Sequence, residues 1–324
     1  MESHEDIARI LLRYRAFLIA THVLPDGDAI GSTLGLGFGL QKTGRRVVLS
    51  CPGGLPDSLS FLPGSNRIVT PDRISGEFDA AVILDSSDLD RIEGIASRIP
   101  SGVPVINVDH HVTNKMFGTY NYVDPGAAAV GEQVYRILTA MRVPVDRDMA
   151  TCLFTAVGTD SGFFRFSNTS PTTLRIAARL VEKGAEPFRI SEQVYETKTL
   201  GSLKLLGRVL DTLQTDEAGK VAWVEVRREW LSEFGVDEGQ TEGFVNYPRM
   251  VKGVEVALLF RESAEGKIRV GMRSRGDFDV SALAEAFNGG GHSRAAGCSV
   301  EATSLEDARQ AVLRKVYEMM AAAR

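Results

Sequence analysis

Short apolar runs alternate with helix-length segments through the first half of the chain. Residues 16–21, 46–50, 79–85 and 104–109 are rich in Val and Ile, as strands buried on both faces are. Between or after them the spacing predicts helices over about 29–43, 128–141, 147–157 and 171–183; Gly44 and Gly184 stop the first and last. Such alternation implies a mostly parallel sheet covered on both faces. Residues 187–214 read as a helical connector, with Leu200, Leu203, Leu206, Leu210 and Leu213 at helical spacing, and 216–219 as a turn. Strands at 220–226, 254–260, 267–273 and 297–301 follow, with helices at 279–287 and 304–322. The expected class is α/β. A domain over 1–186 with a mostly parallel sheet flanked by helices leads through a helical linker, 187–215, to a smaller C-terminal α/β domain, 216–324.

Composition narrows the class. A length of 324 residues suits two domains, and 44% apolar with 24% charged residues is ordinary for a globular protein with a sizeable core. The net charge of −5 argues against a strong grip on long duplex DNA but leaves room for a short anionic substrate. Cys51, Cys152 and Cys298 lie far apart without a C-x-x-C pair. A disulfide framework or thiolate zinc site is therefore not expected, and a reducing cytosol fits. The first residues lack a signal-peptide pattern and no apolar run reaches 18 residues, so a cytoplasmic protein without a membrane span is expected.

The candidate chemistry sits at the strand ends. The first run ends in His22, Asp26 and Asp28, the third in Asp85, the fourth in Asp109, His110 and His111, and a later segment in Asp160. In an open α/β sheet, ligands bind beyond the carboxyl ends of the strands. Carboxylates gathered there repel unless cations compensate. A mixed O/N set favours Mn²⁺ over a thiolate zinc site, with Mg²⁺, Co²⁺ and Zn²⁺ left open. Asp26 and Asp28 could each serve a different ion, with Asp85 between them. Two ions about 3.5–4 Å apart can hold a hydroxide and clamp a phosphate. Each piece alone has a plain reading as a turn, a helix cap or packing; all four together, in this order, favour function. Gly31, Gly35, Gly37 and Gly39 do not make a dinucleotide-binding loop, because the spacing is wrong and the turn is acidic. They are expected to pack a helix against the sheet.

In the second half, Gly289, Gly290 and Gly291 precede His292. Glycines let backbone N–H groups approach an anion, as in a nest at a turn. Arg273 offers a planar fork for phosphate, and strand alternation puts Ser274 on the opposite face. The plain reading is a helix stop followed by a surface histidine. Arg165, Arg275 and Arg294 are secondary anion contacts.

These residues resemble the DHH phosphoesterase superfamily: the His22/Asp26/Asp28 motif, Asp85 in a stretch running to Arg91, the Asp109/His110/His111 triplet, and Asp160 in its Gly-Thr-Asp-Ser-Gly setting. The 289–297 segment and the Arg273 strand resemble the first-type DHH-associated domain. Together they are similar to bacterial nanoRNases that also remove the 3′-phosphate of phosphoadenosine phosphate. The resemblance implies one ion on His22, Asp26 and Asp85 and a second on Asp28, Asp85, His110 and Asp160. It implies that His111 contacts the phosphate or helps protonate the leaving oxygen, and that Asp109 orients its neighbours. Arg273, Ser274, Gly289, Gly290, Gly291 and His292 would bind substrate, with Arg273 and His292 gripping a phosphate or sugar. A homodimer is suggested by the family alone. The chain departs from the family at Ala127, Ala128 and Ala129, where Ser or Thr is frequent, and at Ser161, where Thr is.

The expected function is metal-dependent hydrolysis of short RNA or DNA oligonucleotides and of nucleotide bisphosphates. Holding the scissile phosphate in one domain and another part of the substrate in the other would select short chains, with 187–214 as the hinge. Rivals are a phosphodiesterase for linear or cyclic dinucleotide signals, an enzyme for pyrophosphate or polyphosphate, a longer-strand exonuclease and, outside catalysis, a nucleotide sensor.

Overall fold

The structure is a computed structural model describing residues 1–92, 94–241, 243–263 and 266–322. The chain divides into two compact units, Met1–Thr197 and Lys198–Arg324.

The first unit is built on strands β1 (Ala16–Ala20), β2 (Arg46–Ser50), β3 (Ile68–Val69), β4 (Ala80–Leu84), β5 (Val105–Asp109) and β6 (Tyr120–Val123), in the order β3-β2-β1-β4-β5-β6. Every pairing is parallel. β1 and β4 are buried along their whole length, which explains why they read as unbroken apolar runs. The chain winds outward from β1 one way and from β4 the other. The β1–β4 seam is therefore the topological switch point, where a crevice opens beyond the strand ends.

The helices are α1 (His4–Leu11), α2 (Gly27–Lys42), α3 (Val130–Ala140), α4 (Arg147–Asp160), α5 (Pro171–Glu182) and α6 (Pro187–Ser191). Phe17, Ile19, Leu34, Leu40, Leu153 and Phe154 belong to the core between them and one sheet face. On the other face Leu18, Ala20, Ala81 and Ile83 pack against Ile92 and Ile95, which sit in a loop with single helical turns rather than on long helices. α1, β3 and β6 were not legible in the pattern.

The glycines of α2 pack mainly against helices, not against the sheet as expected. A Cβ on Gly31 would strike the Cys152 carbonyl oxygen, one on Gly35 would lie 2.6 Å from Leu153, and one on Gly39 would strike Leu138; Gly37 alone meets a strand, at Leu49. Gly27 lies against Thr159. α2 and α4 thus run antiparallel at close range, and the start of α2 meets the end of α4.

The second unit holds β7 (Gln214–Thr215), β8 (Val221–Val226), β9 (Val256–Glu262), β10 (Ile268–Ser274), β11 (Gly290–His292) and β12 (Ala295–Val300), in the order β11-β12-β10-β9-β8-β7. Only β8–β9 is parallel. Its helices are α7 (Leu200–Leu210), α8 (Arg228–Phe234), α9 (Asn246–Met250), α10 (Val280–Glu285) and α11 (Leu305–Ala322). α10 and α11 cover one face through Leu283, Val312 and Val316. α7 and α8 cover the other through Leu205, Val209 and Trp230. The segment expected as one connector is therefore shared: Ile190 is buried in the first core and Leu205 in the second. The leucine spacing marked the wrong face of α7, since Leu200 and Leu203 are 70% and 53% exposed.

The glycine run differs from the expected turn. Gly290, Gly291 and His292 form an edge strand paired with Gly297, Ala296 and Ala295. A Cβ on Gly291 (φ +143°) would lie 2.5 Å from the Ala295 carbonyl oxygen, and one on Gly289 would strike that of Gly297, while Gly290 faces open space. Close backbone approach within a hairpin accounts for glycine at 289 and 291.

Candidate metal centre

Beyond β1 the chain buries His22, then turns into α2. Asp26 caps that helix: its Oδ1 accepts from the N–H groups of Asp28 and Ala29, both at 3.0 Å. Asp28 lies inside the first turn and is fully buried. It accepts from the Ser32 hydroxyl at 2.9 Å, from Gly131 N–H at 2.9 Å and from Val130 N–H at 2.7 Å. The last two are unpaired donors of the α3 start, where Ala129 supplies no side-chain cap. Asp28 takes the capping role that Ala129 cannot and so ties α3 to the site.

Asp85 leaves β4 with φ +57°, a left-handed conformation that Asp tolerates better than most residues. It is buried, and its Oδ1 has no hydrogen-bond partner among the described residues. The Oδ2 atom lies 3.4 Å from His22 Nε2, and Oδ1 lies 3.6 Å from His110 Nε2 and 3.6 Å from His111 Nδ1. Around His110 Nε2 also stand Asp160 Oδ2 at 3.5 Å and Asp28 Oδ2 at 3.8 Å.

Each imidazole of the cluster is anchored through Nδ1. His22 Nδ1 reaches the Val23 carbonyl at 2.7 Å, His110 Nδ1 the Ala127 carbonyl at 3.1 Å, and His111 Nδ1 the Asp109 carboxylate at 2.7 Å. A carbonyl oxygen can only accept, so His22 and His110 each carry a proton on Nδ1, which turns Nε2 toward the carboxylates. Asp109 is held in turn: Asn114 donates to its Oδ2 at 2.6 Å and to Asn107 at 2.8 Å, and Asn107 donates to the Ser86 carbonyl at 3.1 Å. Gln133 donates to the Asp109 carbonyl at 3.0 Å.

The electrostatics are those of a site short of positive charge. Burial, with neighbouring Asp28 and Asp26, raises Asp85 well above the usual carboxylate range. Burial lifts Asp28 to about 6 despite the opposing pull of His110. Burial disfavours a charged His110, but Asp160, Asp85 and Asp28 outweigh it and hold that imidazole up to about 10. Burial likewise opposes ionisation of Asp109; the His111 and Asn114 contacts overcome it and hold Asp109 below its ordinary range. Burial lowers His22 and His111. Protons therefore do part of the work that cations would do better.

Two ligand-atom groups cover the six expected ligands, each with its atoms within 4.8 Å of one another: His22, Asp26 and Asp85, and Asp28, His110 and Asp160; a third such group in this unit is Asp85, Asp109 and His111. The unpaired Asp85 Oδ1 and the oxygen/nitrogen chemistry of the set suit divalent ions. All six residues, with Asp109 and His111, come together in the first unit. In the second unit Arg273 pairs across the sheet with Ala295, which pairs with His292. Directly opposite residues share a face, so Arg273, Ala295 and His292 form a row, with the small alanine between the two larger side chains. Ser274 is buried on the other face and donates to the Ser293 carbonyl at 3.2 Å. Sequence reasoning missed Asn107, Asn114 and Gln133. Asn107 alone left a signal, as a polar residue inside an apolar strand.

The fold has known counterparts. Residues 16–157 match the DHH family N-terminal domain and residues 218–318 the DHHA1 domain. A bifunctional oligoribonuclease and PAP phosphatase NrnA of Thermus thermophilus is 34% identical, covering 93% of this chain and 89% of that protein. The protein of the same name from Bacillus subtilis is 29% identical, covering 91% and 92%. The crystal structure of an exopolyphosphatase-related protein from Bacteroides fragilis superposes with a TM-score of 0.87 at 30% identity, covering 98% of this chain and 97% of that one. No helix among the described residues is long and apolar enough to cross a membrane. Matched across nearly its whole length, and with both domains in order, the chain belongs to the DHH family of phosphoesterases and carries a DHHA1 domain behind its DHH domain.

Proposed function

We propose that this phosphoesterase hydrolyses oligonucleotides of about two to five residues to nucleoside monophosphates and removes the 3′-phosphate of 3′-phosphoadenosine 5′-phosphate, using a pair of divalent ions. The observation that carries this reading is the placement of Asp85, whose two carboxylate oxygens face His22 on one side and His110 on the other. The names of the Thermus and Bacillus relatives support the substrate assignment. His22, Asp26 and Asp85 would hold one ion, and Asp28, Asp85, His110 and Asp160 the other. Mn²⁺ suits the donor set, with Mg²⁺ or Co²⁺ as alternatives. No thiol belongs to the cluster, and burial pushes Cys51 up to about 12. When bound, such ions supply Lewis acidity at the phosphoryl oxygens and lower the pKa of water.

The chain's own groups do the remaining work. Nδ1 of His111 is committed to the ionised Asp109, so the exchangeable position of this imidazole is Nε2. Burial keeps His111 neutral at neutral pH; Nε2 can then take a proton from the attacking water and return it to the leaving oxygen. Arg273 and His292 bind a phosphate or sugar of the substrate. Ester cleavage and 3′-phosphate removal share attack at phosphorus, so one centre serves both.

The test is Mn²⁺-dependent product release from 5′-labelled RNA of two to about 24 nucleotides, with phosphoadenosine phosphate in parallel. Rapid cleavage of the shortest chains, fading with length, and release of phosphate are expected. Processive loss of the longest RNA contradicts the length selection, and no turnover contradicts the substrate class.

A further inference from the structure

We infer that Arg91 is a substrate-binding residue of this site, gripping the non-bridging oxygens of the phosphate under attack; the inference rests on the phosphoester reading above. Arg91 follows Asp85 in a loop whose backbone is pinned on both sides. Its N–H donates to Asp88 Oδ1 at 3.2 Å, and its carbonyl accepts from Val23 N–H, beside His22, at 2.7 Å. The next residue, Ile92, is fully buried in the apolar layer under β1 and β4. The loop therefore delivers the guanidinium to the switch-point crevice by construction.

There Arg91 Nη2 stands 3.3 Å from His22 Nδ1. The proton on Nδ1 is committed to the Val23 carbonyl, so this approach sets donor against donor and offers the guanidinium no acceptor. Among the described residues no carboxylate forms an ion pair with Arg91, although Asp88, three residues earlier, pairs with Lys115 at 3.1 Å.

A guanidinium held beside a proposed ion pair is repelled when those ions bind, so the arrangement is favourable only once an anion arrives. The planar fork matches two oxygens of a phosphate. A phosphate drawn between the ions and Arg91 would receive positive charge from two directions, which suits the charge of the phosphoryl group during displacement.

The test uses the full chain with Arg91→Gln and Arg91→Lys. Bound Mn²⁺ is counted by electron paramagnetic resonance, melting temperature is recorded, and adenosine 5′-monophosphate is titrated into the Mg²⁺-loaded protein by calorimetry. Arg91→Gln is expected to keep the wild-type ion count and melting temperature and to bind the nucleotide about 10- to 100-fold more weakly, as loss of a charge-assisted phosphate contact does. Arg91→Lys, with charge but no fork, is expected to fall between. Unchanged nucleotide affinity in Arg91→Gln overturns the inference. So does loss of ions in both variants, which would make Arg91 a support for His22. Wild-type protein that hydrolyses neither short RNA nor phosphoadenosine phosphate, yet binds nucleotide through Arg91, refutes the substrate proposal while upholding this one.

Discussion

Gly131 joins the packing of three helices to the ion cluster, and Gly131→Ala shows how much the site depends on that packing. A Cβ at this position would lie 2.5 Å from the Cβ of Ala156 on α4. Carbon–carbon contacts are most favourable at about 3.5–4.0 Å, so α3 and α4 must part by roughly 1 Å. Neither alanine has a rotamer to yield with. Overpacking of this kind costs about 1–3 kcal/mol. The better helix propensity of alanine returns about 1 kcal/mol, leaving a net destabilisation of up to about 2 kcal/mol. Activity should suffer more than stability. Gly131 N–H is one of the donors on Asp28, so displacing α3 shifts that carboxylate against His110 and Asp160. A misplacement of about 1 Å can cost ~100-fold in rate. Hydrolysis of a dinucleotide and thermal melting of the ion-free protein are the assays. Gly131→Ala combined with Ala156→Gly restores the space and should recover most of both losses, whereas Gly207→Ala, on an open helix surface, should stabilise slightly. Full activity in Gly131→Ala, or no recovery in the double variant, refutes the reasoning.

Other predictions follow from the same network. Asn114→Ala removes the donor on Asp109 Oδ2 and should lower kcat about 10- to 100-fold, as loss of an outer partner does; Asp109 then becomes the stronger acceptor for His111 Nδ1–H, so the ¹⁵N shift of that nitrogen should change, and an unaltered His111 signal would contradict the orienting role. Ion binding must displace protons from His110, held near 10, and from the raised Asp85. The ion-free state binds more protons, so ion affinity should rise with pH from about 6, where Asp28 has ionised, toward about 10, where His110 has lost its proton. Calorimetry in buffers of different ionisation heat checks this, and absence of proton release would contradict it. Arg273→Gln and His292→Gln should weaken hydrolysis of short substrates while leaving ion content intact; lost ions in either variant would count against their assignment to substrate.

The residues that the chain displays at strand ends were legible because a buried parallel strand must be apolar and its end must change character. His22, Asp85 and Asp109 each mark that change, and the structure gathers them at one seam. The four longer parallel strands were legible for the same reason. β3 and β6 were not: one has two residues, and the other is a four-residue edge strand, Tyr-Asn-Tyr-Val, whose first half is only half-buried. α7 was legible as a helix but not in its orientation, because leucines occur on both its faces. Asn114 and Gln133 act through hydrogen bonds to residues distant or irregularly spaced in the chain, and no periodicity encodes such partners. The glycines before His292 signalled close backbone approach, and the structure supplies an approaching strand there.

The central claim is that Asp85 joins two ion sites into one. The most direct test counts Mn²⁺ bound per chain in the wild type and in Asp85→Asn, which keeps the shape and removes the charge. The account predicts two ions in the wild type and weakened binding of both together in the variant, with hydrolysis of short RNA and of phosphoadenosine phosphate lost in parallel. A wild type that binds a single ion, or a variant that keeps one ion at undiminished affinity, would contradict it.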